Sequence, residues 1–262
     1  EPIAAAFTYE RRISNETLVL VADLGGGTSD FTLMRLNPAR ANELDRSKDM
    51  IAKGGIYIGG DNFDSALMWE KGTHHFGRNL TYLDFETTVK VPLRFYKSIC
   101  SWEEMNFFNS RKMRNALQKF YFLTGNHPRF KNLITLIEEN LGYSIFQAIE
   151  QTKIQLSNKE TAIFEFEQKD IQIKEPITIE AFSNEIVVKD IKKIEEYLLE
   201  FLKQENIQPA DIQTVFMTGG TSLVKPVQGI IERHFGREKM KSGDNFNSVA
   251  NGLAYSSTVF FQ

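Results

Sequence analysis

The feature that most constrains this chain is Asp23-Leu24-Gly25-Gly26-Gly27-Thr28, set directly behind the β-rich run Leu18-Val19-Leu20-Val21. β-Branched and large apolar residues favour strand, and Phe31, Leu33 and Leu36 resume a strand-like pattern beyond the turn. The spacing predicts strand, glycine turn, strand: a hairpin. A carboxylate at a strand end, three residues without side chains and a hydroxyl also suit an anion, because glycine lets backbone N–H groups crowd around it. Asp23 can hold a magnesium ion through that ion's waters. On local chemistry alone, a turn that needs positive φ explains the glycines equally well.

The same design recurs. Val215-Phe216-Met217 reads as a buried strand and runs into Thr218-Gly219-Gly220-Thr221-Ser222, with a helix expected from about Val224 to His234. Glycines between strand and helix permit close backbone approach to a ligand at the helix start. Gly59-Gly60-Asp61 is a third, weaker turn after the strand-like Gly54-Gly55-Ile56-Tyr57-Ile58. Three glycine turns that each follow a strand argue for convergence on one nucleotide. None is a Walker motif, because Gly-Lys-Thr/Ser is absent from them.

Between these turns the pattern changes. A helix is expected after Asp61, then loops and short helices over roughly 72–110. Three helices follow from Arg111 to Ser157, with Gly142 marking the end of the second. Glu150, Lys153 and Ser157 share one face of the third, either as a site or as a solvated polar face with a Glu–Lys pair. Ile163-Phe164-Glu165-Phe166-Glu167, Ile171-Gln172-Ile173-Lys174 and Ile177-Thr178-Ile179 read as short antiparallel strands. Val187, Ile191, Ile194, Leu198 and Leu202 define an amphipathic helix, and residues 248–254 the start of a closing one. The order is that of an α/β core interrupted by an inserted subdomain.

A net charge of -3 gives no reason to expect nucleic acid or an anionic membrane as partner. The single cysteine, Cys100, cannot close an internal disulfide and reads as a buried, inert side chain. His74 and His75 have no Cys or Asp/Glu spacing that makes a zinc motif. The chain opens on Glu1-Pro2-Ile3-Ala4-Ala5-Ala6-Phe7, a helix already under way, so a fragment is expected.

The ordered set Glu1-Pro2-Ile3-Ala4-Ala5-Ala6, Asp23 to Thr28, Gly59-Gly60-Asp61-Asn62-Phe63-Asp64, Ala148-Ile149-Glu150-Gln151-Thr152-Lys153 and Thr218 to Ser222 resembles the ATPase domain of DnaK-type heat-shock chaperones. Glu43-Leu44-Asp45-Arg46, the long insertion after Asp64 and the Gly243-Asp244-Asn245-Phe246 ending are similar to the YegD branch of that superfamily. The resemblance implies an actin-like (ribonuclease-H-like) α/β ATPase lobe with an inserted α+β subdomain. Residues 1–58 plus 180–262 would be the basal subdomain and 59–179 the upper one. It implies ATP or ADP with Mg2+ as cofactors. Gly26, Gly27 and Thr28 would hold the β- and γ-phosphates, and Asp23 magnesium-bound water. Glu1 would sit near the attacking water. Glu150, Lys153 and Ser157 would meet ribose and base, and Gly220, Thr221 and Ser222 the other side of the nucleoside. Gly59 and Gly60 would complete the nucleotide contacts.

Where the family carries arginines near the adenine plane this chain has Ile154 and Leu223, and Phe246 stands in place of a late acidic residue. The implied protein is cytoplasmic, with a missing first lobe, clients and a co-chaperone as partners. Phosphoryl transfer draws charge stabilisation from several sides, so the chain alone is expected not to hydrolyse ATP. An actin-fold scaffold or filament protein and an actin-fold small-molecule kinase are the alternatives.

Overall fold

A computed structural model describes residues 10, 13–40, 43, 47–107 and 110–242. The expected opening helix with Glu1, residues 44–46, Phe246 and the closing helix lie outside the described residues. The chain divides into two compact units, Glu1–Asn62 with Val188–Gln262, and Phe63–Val187.

In chain order the principal elements are β1 (Thr17–Leu24), β2 (Ser29–Leu36), β3 (Met50–Ile56), α1 (Gly60–Leu67), β4 (Thr81–Asp84), β5 (Thr87–Lys90), α2 (Arg94–Ser98), α3 (Trp102–Phe107), α4 (Arg111–Leu123), α5 (Pro128–Glu138), α6 (Gly142–Asn158), β6 (Thr161–Gln168), β7 (Ile171–Thr178), α7 (Val188–Gln204), β8 (Thr214–Thr218), α8 (Lys225–Phe235) and β9 (Met240–Ser242).

The first unit is built on a mixed five-stranded sheet in the order β3-β2-β1-β8-β9. β1 and β2 form the expected hairpin, antiparallel from Thr17↔Leu36 to Leu24↔Ser29. β8 lies parallel to β1, with Val21 opposite Phe216. Buried on both faces, β1 reads as a continuous apolar run. Val19, Val21, Met34, Leu36 and Phe216 form one cluster. On the opposite face Phe31 packs against Tyr197 and Phe201 of α7. That helix buries Ile191, Ile194, Leu198 and Leu202 at the spacing its sequence shows.

The second unit carries the hairpin β6–β7, paired over its full length. Its strands bury alternate residues, Phe164 and Phe166 on β6 and Ile171, Ile173 and Ile177 on β7. β7 continues through Pro176, where a break is expected. A missing N–H is tolerated on the outer side of a two-stranded sheet. β4–β5 is a hairpin where only loops and short helices are expected. Gly142 opens α6 instead of ending α5, because Asn140 takes the left-handed position (φ 52°) behind that helix. Strand β3 ends at Ile56, leaving Tyr57 and Ile58 in the following loop.

Candidate functional site

The three glycine turns meet in the first unit. The Gly25 N–H donates to the Thr28 carbonyl at 2.9 Å and closes the β1–β2 turn. The Gly25 carbonyl then accepts from Gly60 N–H at 3.1 Å and from the Thr221 hydroxyl at 2.8 Å. One acceptor thus ties the turn after β1 to those after β3 and β8. The Gly26 carbonyl accepts from Asp61 N–H at 2.8 Å, in the first turn of α1.

Both glycine carbonyls face protein. The N–H groups of Gly26, Gly27 and Thr28 donate to no protein acceptor among the described residues. Gly26 and Gly27 are exposed, and a Cβ on Gly27 would meet nothing within 4 Å. Gly220 has the same open surroundings. Gly59 and Gly219 differ: a Cβ there would strike backbone, the Gly25 and Gly26 carbonyls for Gly59 and Leu24 for Gly219. These two hold the turns together, while Gly27 and Gly220 leave room beside them.

Asp23 and Asp30 stand directly opposite across the hairpin, so their side chains share a face. The Thr28 hydroxyl donates to Asp30 Oδ2 at 2.7 Å. The Ser29 hydroxyl donates to the Ile58 carbonyl at 2.7 Å, fixing the strand behind the loop. Two carboxylates at one strand end are a donor set that suits a hydrated divalent cation. Asp30 escapes the sequence reading because only the hairpin register sets it opposite Asp23. Ser222 turns inward, its hydroxyl donating to the Gly219 carbonyl at 2.6 Å.

Glu150, Lys153 and Ser157 belong to the second unit. Lys153 Nζ lies 2.7 Å from Asp64 Oδ2, with side chains only 11% and 10% exposed. Its ion pair is therefore with α1 and not the Glu–Lys pair that helical spacing allows. Glu150 is exposed. The Ser157 hydroxyl reaches the Lys153 carbonyl at 3.4 Å. Ile154 and Leu223 are both exposed, at 46% and 41%. Cys100 is buried, and burial pushes its thiol up to about 12, as an inert side chain requires.

A mixed α/β unit with glycine turns gathered at its strand ends is consistent with one class of protein, the Hsp70- and actin-like ATPases. Comparison with known proteins narrows the class. The Hsp70 protein family model matches residues 133–261. The chain is 25% identical over 260 residues to a chaperone protein HscA homolog of Haemophilus influenzae (strain PittGG), covering 99% of this chain and 31% of that one. It is 24% identical over 261 residues to chaperone protein HscA of Buchnera aphidicola (subsp. Acyrthosiphon pisum, strain Tuc7), covering 100% and 32%. Chaperone protein DnaK of Deinococcus proteolyticus is 24% identical over 262 residues, covering 97% and 32%. These matches support an Hsp70-type ATPase domain, and the chain spans about a third of the length of these relatives. Among the described residues no helix is long and apolar enough to cross a membrane.

Proposed function

We propose that this chain is the second nucleotide-binding lobe of a chaperone-type ATPase with an actin-like fold, from the YegD branch of the family. One observation carries the reading. Among the described residues, consecutive N–H groups at Gly26, Gly27 and Thr28 have no protein acceptor, in a loop whose carbonyls are held by two other glycine turns. Such a run of free donors suits a phosphate.

In this reading Gly26, Gly27 and Thr28 hold the β- and γ-phosphates. Asp23, with Asp30 beside it, holds magnesium through water; the bound ion would supply charge neutralisation at the phosphates. Gly59 and Gly60 support that loop. Gly220, Thr221 and Ser222 line the nucleoside, and Glu150, Lys153 and Ser157 meet ribose and base. Ile154 and Leu223 offer apolar contact to the adenine where relatives would stack a cation. Glu1 keeps its role near the attacking water by resemblance alone.

Phosphoryl transfer needs stabilisation from several sides, and these loops supply one. The remaining stabilisation would come from groups outside these loops. Clients and a co-chaperone are the expected macromolecular partners, and the cytoplasm the expected compartment. The relatives are chaperones by name, which favours this reading over the scaffold and kinase alternatives.

Calorimetry of the full-length protein with Mg-ATP tests the proposal. Wild type binds. Gly27→Val fills the open space and weakens binding by roughly 10- to 100-fold, the loss of one or two charge-assisted hydrogen bonds. Its thermal midpoint should change by little, because the first added atom meets no protein atom within 4 Å apart from its chain neighbours. No binding by wild type at millimolar ATP would sink the reading.

A further inference from the structure

We infer that His74, His75 and Glu175 form a binding site for a divalent transition-metal ion of the zinc type. The three residues lie in the second unit, two of them adjacent and the third a hundred positions along the chain. His74 and His75 sit in the one-turn helix Thr73–Phe76, and Glu175 in β7. Glu175 Oε1 lies 3.1 Å from His74 Nε2 and 2.9 Å from His75 Nε2. One candidate ligand atom from each residue falls within 4.8 Å of the others.

Zinc–nitrogen and zinc–oxygen bonds of about 2.0–2.2 Å put tetrahedral ligand atoms roughly 3.3 Å apart. The two N···O separations are therefore within a few tenths of an ångström of what an ion between them needs. Two imidazoles and one carboxylate suit zinc, nickel or copper, whereas magnesium and calcium prefer oxygen alone. The site thus selects a different ion from the one expected beside Asp23.

The ligands are held by packed structure. The Thr73 hydroxyl donates to the Trp69 carbonyl at 2.6 Å, and Asn132 Nδ2 to the His75 carbonyl at 3.3 Å. Thr73 and Phe76 are fully buried. The ligand side chains remain 21–30% exposed, so an ion can enter and water can complete its shell. Arg129 acts on His75 as an opposing cation and limits affinity.

The competing explanation is a hydrogen-bonded brace with no metal role. His234 and Glu195, at 2.6 Å, make such a pair and serve as an internal control. The full-length protein, stripped of metal, is titrated with Co2+ and then Zn2+. Wild type is expected to show the intense visible absorption of a four- or five-coordinate cobalt site, displaced by zinc. Glu175→Gln, which keeps size and hydrogen bonding, weakens zinc binding by roughly tenfold or more, as loss of a coordinating or supporting group does. The double variant His74→Asn/His75→Asn, checked for folding by circular dichroism, loses the spectrum; His234→Asn keeps it. A weak six-coordinate cobalt spectrum in wild type, or unchanged zinc affinity in Glu175→Gln, would leave only the brace and overturn the proposal. No readout involves nucleotide, so failure here and failure of the ATP reading are separate results.

Discussion

Gly219→Ala is expected to destabilise the first unit by about 2–6 kcal/mol, a large part of the roughly 5–15 kcal/mol that holds a typical domain together. Gly219 has φ 82° and ψ 156°, a region that only glycine occupies without strain. Its Cβ would also meet the carbonyl oxygen, carbon and nitrogen of Leu24. Leu24 is the last residue of the central strand β1, so it cannot yield without disturbing the sheet. Gly59→Ala should behave similarly, since its Cβ would meet the Gly25 and Gly26 carbonyls. Gly220→Ala is the control. Nothing lies within 4 Å of its Cβ, so its effect should stay within about 0.5 kcal/mol. Urea denaturation followed by a probe in the first unit measures all three. An unchanged midpoint for Gly219→Ala would mean that the junction of the turns is not what holds them.

Lys153→Met should lower the stability of the second unit by about 2–4 kcal/mol. Breaking a buried ion pair by removing one partner typically costs about 3–5 kcal/mol. The Lys153–Asp64 pair is about one-tenth exposed, which reduces that figure somewhat. Replacing both, in Asp64→Asn/Lys153→Met, removes both charges together and should recover much of the loss. Denaturant titration of the four proteins closes a double-mutant cycle, and a coupling above about 1 kcal/mol is expected. Additive effects would show that the two side chains contribute independently.

What was legible in the sequence was local. The β1–β2 hairpin, the amphipathic face of α7 and the three-helix run α4–α6 each follow from periodicity that neighbouring residues carry themselves. Where a local signal was absent or ambiguous, the reading failed. The β4–β5 turn is Phe85-Glu86, with Phe85 at φ 53° and no Asn-Gly or Asp-Gly to announce it. Most residues of those strands are exposed, so apolar alternation is missing as well. At the end of α5, asparagine and glycine were both eligible for the left-handed position, and Asn140 took it.

The candidate site divides the same way. Its glycines were visible as strings, but their shared acceptor, the Gly25 carbonyl, involves a bond from Thr221 across 196 positions. Asp64, which pairs with Lys153, is 89 positions away, and Glu175 is a full hundred from His75. Spacing rules reach one or two helical turns and are blind to pairings that only tertiary packing creates.

The parallel pairing of β1 with β8 also sets an order of assembly. β1 can join β2 and β3 early, but its other edge, from Val19 to Asp23, waits for residues 214–218. The second unit, Phe63–Val187, is continuous in sequence, so it can fold on the ribosome while that edge is still unsatisfied. Chains emerge at about 5–20 residues per second, which leaves an apolar strand edge open for roughly ten seconds or more. An unpaired edge of this kind is a template for aggregation. A relative of chaperones therefore passes, during its own synthesis, through a form of the sort that chaperones protect.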